Sequence, residues 1–122
     1  MIPKNNLGKK GEREARNYLI KRGYRIEETN CRIGGSEIDI IAVKEGFLVF
    51  IEVKSRSSGN TGLPEEFVDR KKIRKIIAGA KLFTARKKFR DMLIRFDIIS
   101  VIRKEGKYIM DHIENAFGNE DG

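Results

Sequence analysis

A chain of 122 residues can bury one hydrophobic core but is short for two. Its 26 basic and 18 acidic residues leave a net charge of +8, which favours a polyanionic partner, while the longest apolar run, Phe47 to Ile51, is far too short to cross a bilayer. The single cysteine, Cys31, excludes an internal disulfide, and without a secretion signal a reducing cytoplasm is the expected compartment.

Asn5 or Asn6 is a candidate cap for a first helix running to about Arg22, with Leu7, Gly11, Ala15, Tyr18 and Leu19 on one stripe and Gly23 as its stop. Tyr24 to Asn30 reads as a first strand, Gly34-Gly35 as a turn, and about Glu37–Val43 and Phe47–Ser55 as strands two and three. A polar loop at 57–62 follows. Pro64 and Glu65-Glu66 then open a second helix whose apolar face is Phe67, Ile73, Ile76, Ile77, Ala80 and Phe83. Met92 to Ile102 is a β-branched strand, and Gly106 turns into a last strand, Lys107 to Ile113. The expected architecture is α/β: a mixed central sheet flanked by helices, with 1–118 a single domain and 119–122 a disordered tail. Strand three, apolar on both faces, belongs in the middle.

The positive charge is localised. Ten cations and no acid lie between Asp69 and Asp91, so this segment carries more than the whole net charge. A concentrated basic surface of this kind binds nucleic acid in a salt-dependent way. The segment lacks the aromatic-rich apolar face of an interfacial helix, so no membrane partner is expected.

Strands two and three carry the sharpest signal. If Glu45-Gly46 is a two-residue turn, residues whose numbers sum to 91 lie opposite each other, so Asp39 faces Glu52 and Glu37 faces Lys54; a three-residue turn would leave Asp39 and Glu52 diagonal neighbours. Directly opposed residues hold their Cβ atoms about 4.5–5.5 Å apart. Opposed carboxylates repel, so one must keep a proton or both must share a cation. Mg²⁺, or Mn²⁺ in its place, binds through one or two carboxylates and several waters, and it suits phosphodiester hydrolysis. Glu52 and Lys54 share a face, so the lysine can reach an attacking water or a phosphate oxygen. A solvated lattice of cross-strand ion pairs is the alternative. It fits poorly with Leu48 and Phe50, which lie on the face of Glu52.

Gly8-Lys9-Lys10-Gly11-Glu12-Arg13-Glu14-Ala15, Tyr18-Leu19, Gly23-Tyr24, Asn30-Cys31-Arg32, Glu37-Ile38-Asp39-Ile40-Ile41-Ala42 and Phe50-Ile51-Glu52-Val53-Lys54-Ser55-Arg56 resemble the YraN family of small bacterial proteins. Arg95-Phe96-Asp97 and His112-Ile113-Glu114-Asn115-Ala116-Phe117 match its later blocks. That family is similar to the restriction-endonuclease-like superfamily, in particular to archaeal Holliday-junction resolvases. The resemblance implies an αβββαβ core and a metal-dependent nuclease site. It places Glu12 of the first helix with Asp39 and Glu52 as metal-holding acids, and Lys54 with them as the catalytic lysine. Glu14 competes with Glu12 for the helix-one role.

The expected activity is Mg²⁺- or Mn²⁺-dependent hydrolysis of DNA, branched or structured DNA by resemblance. Ser55, Arg56, Lys71, Lys72, Arg74 and Lys75 are the candidate contacts to the nucleic-acid backbone. A homodimer follows only by analogy with resolvases, which need two sites to cut two strands. The competing readings are a binding module of the same fold without catalysis, and an interaction protein whose basic helix docks on an acidic partner. His112, Cys31 and Asp97 are read as structural.

Overall fold

Turns with positive φ decide where most elements of this chain stop. The computed structural model describes residues 4–57 and 69–118. Its elements run α1 (Lys4–Lys21), β1 (Arg25–Ile33), β2 (Ser36–Lys44), β3 (Phe47–Ser57), α2 (Arg70–Thr84), β4 (Leu93–Lys104) and β5 (Lys107–Phe117), with a 3₁₀ turn at Lys87–Phe89 before β4. The strands form one sheet in the order β1-β2-β3-β4-β5. Neighbours are antiparallel except β3 and β4, which are parallel and connected through α2. This is the expected mixed sheet with an αβββαβ core, extended by β5 at one edge.

Gly23, at φ 88°, ends α1: its N–H and that of Tyr24 donate to the carbonyls of Ile20 and Leu19, which closes the last turn. Glu45 and Gly46 both have positive φ, as a two-residue hairpin turn requires, and they set the β2–β3 register at a sum of 91 from Lys44–Phe47 to Ile40–Ile51.

Both helix starts differ from expectation. Asn5 and Asn6 lie inside α1, so neither has the extended backbone of a cap. The second helix begins at Arg70, not at Pro64. Asp69 is extended (φ −77°, ψ 165°) and its carboxylate accepts from the Lys72 N–H at 2.8 Å, which is an N-cap. The expected loop at 57–62 lies beyond Ser57, and so outside the described residues, as do Pro64, Glu65-Glu66, Phe67, the tail at 119–122 and the side chain of Leu7.

The sheet is covered on both faces. Ile38, Ile41, Leu48 and Phe50 pack under Ile76, Ile77, Ala80 and Phe83 of α2. Ile40, Ala42, Val49 and Ile51 alternate to the other face and pack under Ala15 and Leu19 of α1. Gly79 lets α2 approach β1: a Cβ there would lie 3.0 Å from the Ile33 carbonyl oxygen and 3.2 Å from its Cγ2. Gly79→Ala is therefore expected to destabilise the fold by about 1–3 kcal/mol in a denaturant titration, despite the better helix propensity of alanine.

The last strand runs four residues past the expected Ile113, and a buried polar cluster explains why. Asp97, wholly buried on β4, accepts from Arg95 Nε and Nη2 (2.9 and 2.8 Å), from His112 Nε2 (2.7 Å) and from the Asn115 N–H (3.1 Å). Arg95 also donates to the Tyr24 hydroxyl, and Tyr18 lies 3.3 Å from His112 Nδ1. Asp97 thus takes up the N–H of Asn115, a residue at φ 51° beside the irregularity in the β4–β5 ladder. The strand then continues, so that Phe117 pairs with Phe96 and stacks on it at 5.1 Å. His112 is packed and hydrogen-bonded, as expected, and Cys31 is buried. No described helix is long and apolar enough to cross a membrane.

Candidate metal and nucleic-acid site

The β2–β3 ladder ends one residue short of Asp39 and Glu52, with Ile40 opposite Ile51. There the Asp39 side chain replaces a backbone acceptor: its Oδ2 accepts from the Val53 N–H at 2.8 Å. The expected pairing of Glu37 with Lys54 does not form, because regular pairing has stopped; Glu37 instead meets Arg32 at 3.6 Å. Asp39 and Glu52 do converge, on the face that α2 covers.

Burial pushes the Asp39 carboxyl up to about 8, the charge of Glu52 and a hydrogen bond to it push the same way, Glu12 adds a smaller effect, and the Val53 N–H opposes them. Around neutral pH Asp39 therefore keeps its proton, and any cation that binds it must displace that proton.

Glu52 is only 3% exposed, and two lysines compensate its charge at one oxygen. Lys72 Nζ lies 2.5 Å from Oε1, and Lys54 Nζ lies 3.7 Å from the same atom. The other oxygen, Oε2, is buried without a hydrogen-bond partner among the described residues. The same holds for Ser100 Oγ, on the β4 residue in register with Lys54. Burial holds the Lys54 ammonium below the usual lysine range, and the nearby charge of Lys72 adds to this; Glu52 and Asp39 pull the other way.

A divalent ion fits these donors. Glu52 Oε2 lacks a partner among the described residues, Asp39 is adjacent, and a protein-borne cation already sits on Oε1. Among the described residues, no group of three or more His, Cys, Asp or Glu side chains is placed to hold an ion. The fit is to an ion held by two carboxylates and waters, the mode typical of Mg²⁺.

The remaining expected residues divide. Lys71, Lys72 and Lys75 line a groove of about 570 Å³ together with Gly35, Ser36, Glu37, Asp39 and Asp69. Arg74 is exposed on α2 but does not line that groove. Arg56 shares the face of Glu52 by strand alternation, whereas Ser55 lies on the other face, against Gly11 of α1. Glu12 also belongs to α1, and the Asn30 amide, turned to present its nitrogen, donates to its carboxylate at 3.2–3.3 Å. Glu12 affects Asp39 through its charge but is not gathered with it into one ligand set.

The direct contact of Lys72 with Glu52 is the feature that sequence reasoning missed. Its signal was available: Lys72 precedes Ile76 by four and Ile73 by one, so it stands at the end of the apolar stripe of α2. Read as an early helix-two residue among other cations, Lys72 was assigned to a bound phosphate instead.

The sequence model of "Uncharacterised protein family UPF0102" matches residues 11–101, three quarters of the chain. The chain belongs to the UPF0102 family. It is 46% identical over 117 residues to a UPF0102 protein of Parabacteroides distasonis, with 96% of each chain covered. It is 44% identical to UPF0102 proteins of Persephonella marina and of Caldanaerobacter subterraneus subsp. tengcongensis, covering 90% and 95% of this chain and 91% and 98% of theirs. The UPF0102 match spans every side chain at the carboxylate pair and the whole of α2.

Proposed function

We propose that the protein is a divalent-metal-dependent nuclease that hydrolyses DNA phosphodiester bonds, with branched or structured DNA as its substrate. The observation that carries this reading is the pairing of half-buried Asp39 with buried Glu52, flanked by Lys54 and opening onto a lysine-lined groove. A plain sheet gains nothing from two adjacent acids withdrawn from water.

Asp39 and Glu52 would hold Mg²⁺ or Mn²⁺, with Glu12 acting on the site by its charge or through water. When bound, the ion supplies a Lewis acid at the scissile phosphate and acidifies a water. Lys54 orients the attacking water and the phosphate oxygens; its lowered affinity for a proton suits it to exchange one there. Lys71 and Lys75 hold the flanking backbone in the groove, and Arg74 and Arg56 extend the positive field around it.

The test is incubation of the pure protein with branched, flapped and linear DNA in Mg²⁺ or Mn²⁺. Divalent-dependent cutting, strongest on the branched substrate, is expected. Salt-sensitive binding without cutting by any divalent ion would favour the second reading, a binding module of the same fold. That no third acid joins the cluster among the described residues is the observation on that reading's side. A homodimer acting on two strands is a further expectation, checked by sedimentation of the protein on a four-way junction.

A further inference from the structure

Lys72 was expected to contact a phosphate, yet the structure lays its ammonium on the buried Glu52 carboxylate. Its Nζ lies 2.5 Å from Glu52 Oε1, nearer than Lys54 at 3.7 Å. The two lysines differ in freedom. The Lys54 side chain is 25% exposed and projects from the central strand β3, whereas that of Lys72 is 41% exposed and projects from the first turn of α2. The Lys72 backbone is pinned by Asp69 at 2.8 Å, so its four-carbon stem can swing without moving the helix. The same side chain borders the groove that Lys71 and Lys75 also line. Within reach of Lys72 there are thus two anionic positions: the Glu52 carboxylate, and any phosphate entering the groove.

The geometry points to Lys72 as a tethered cation that occupies the carboxylate pair until nucleic acid draws it away, so that divalent-ion binding and nucleic-acid binding promote each other. The inference rests on the metal-site reading above. Lys72 and a divalent ion compete for Glu52 Oε1, because an ammonium 2.5 Å away fills the coordination space on that oxygen. A phosphate in the groove offers the ammonium a second partner, and the freed oxygen joins the unpartnered Oε2 and Asp39 as donors. Coupling is reciprocal, so the ion must tighten nucleic-acid binding by the same factor. Lys54, held nearer the strand, stays with the carboxylates as the positioning lysine.

The experiment is Mn²⁺ titration of the full chain, read by calorimetry, with and without a short DNA duplex. It compares wild type, Lys72→Met and Lys75→Met. Lys75→Met removes the same charge from the same groove without touching Glu52. Without DNA, Lys72→Met is expected to bind Mn²⁺ about tenfold more tightly than wild type, within the usual range for coupled sites, and Lys75→Met to resemble wild type. DNA should tighten Mn²⁺ binding about tenfold in wild type and little in Lys72→Met. Equal Mn²⁺ affinities in wild type and Lys72→Met, or an equal rise in both lysine variants, would overturn the role of Lys72 while leaving the metal site standing. Mn²⁺ binding that is absent throughout, or unchanged by Asp39→Asn, would overturn the metal site and the coupling together.

Discussion

Lys54→Ala is expected to lower divalent-dependent DNA cleavage about 100- to 1000-fold, the loss typical when one preorganised electrostatic contact is removed from a transition state. The mobility shift on the same DNA should persist. Affinity is spread over the ten cations between Asp69 and Asp91, and Lys54 is not among them. Deleting one half-buried ammonium therefore changes the salt dependence of binding little. The fold should also survive, because Lys72 remains on Glu52 Oε1 and keeps that buried charge compensated. Asp39→Ala should abolish cutting as well, for a different reason: it removes a donor for the ion and the acceptor of the Val53 N–H. Measuring cleavage, DNA shift and melting temperature on the same preparations separates these cases. Cutting that survives in both variants would trace to another site or a contaminant, and the hydrolase reading would fail.

What the sequence makes legible here follows from how local each determinant is. The Glu45-Gly46 turn specifies its own geometry, so the β2–β3 register, and with it the meeting of Asp39 and Glu52, could be read from numbering alone. Strand three could be placed centrally because Phe47 to Ile51 is apolar on both faces, and α1 and α2 do cover both. The failures involve competition between local signals and contacts distant in sequence. Pro64 with two acids is a sound helix start by propensity, but Asp69 is the residue whose backbone and carboxylate cap α2. The register rule also overreached past the end of the ladder at Ile40. It put Glu37 opposite Lys54, although the Asp39 side chain takes the Val53 N–H and the ladder ends. The extension of β5 to Phe117 depends on a carboxylate 18 residues away accepting the Asn115 N–H, which no periodicity within the strand encodes. Faces were readable by alternation, yet the placement of Ser55 against Gly11 needed the packing of α1 to give it meaning.

Asp97→Asn is expected to cost about 3–5 kcal/mol of stability, the penalty for breaking a buried ion pair by removing one partner. For a chain of this size that corresponds to a fall in melting temperature on the order of 10–20 °C. The loss is large because one carboxylate serves three elements of the cluster. It compensates Arg95, which is itself buried; it holds the His112 ring; and it takes the Asn115 N–H that lets β5 continue. An amide keeps the shape but presents one oxygen and no charge, so Arg95 loses its close, buried counter-ion and keeps only the exposed Glu114 carboxylate at 3.8 Å. The pH dependence gives an independent check. Burial alone would raise the Asp97 carboxyl, but hydrogen bonds from His112 and Arg95, the Arg95 charge and the Asn115 N–H outweigh it and hold the group below its ordinary 3.8. A carboxyl with a depressed folded value contributes stability that is fully present above its unfolded value and is lost as pH falls through the folded one. The stability gap between wild type and Asp97→Asn should therefore narrow as pH falls below about 3.8. Urea titrations of both proteins across that range measure the gap directly, and titrating groups remote from Asp97 cancel in the difference. A gap that is small at neutral pH, or that widens on acidification, would show that Asp97 does not hold the β4–β5 edge in the way its contacts require.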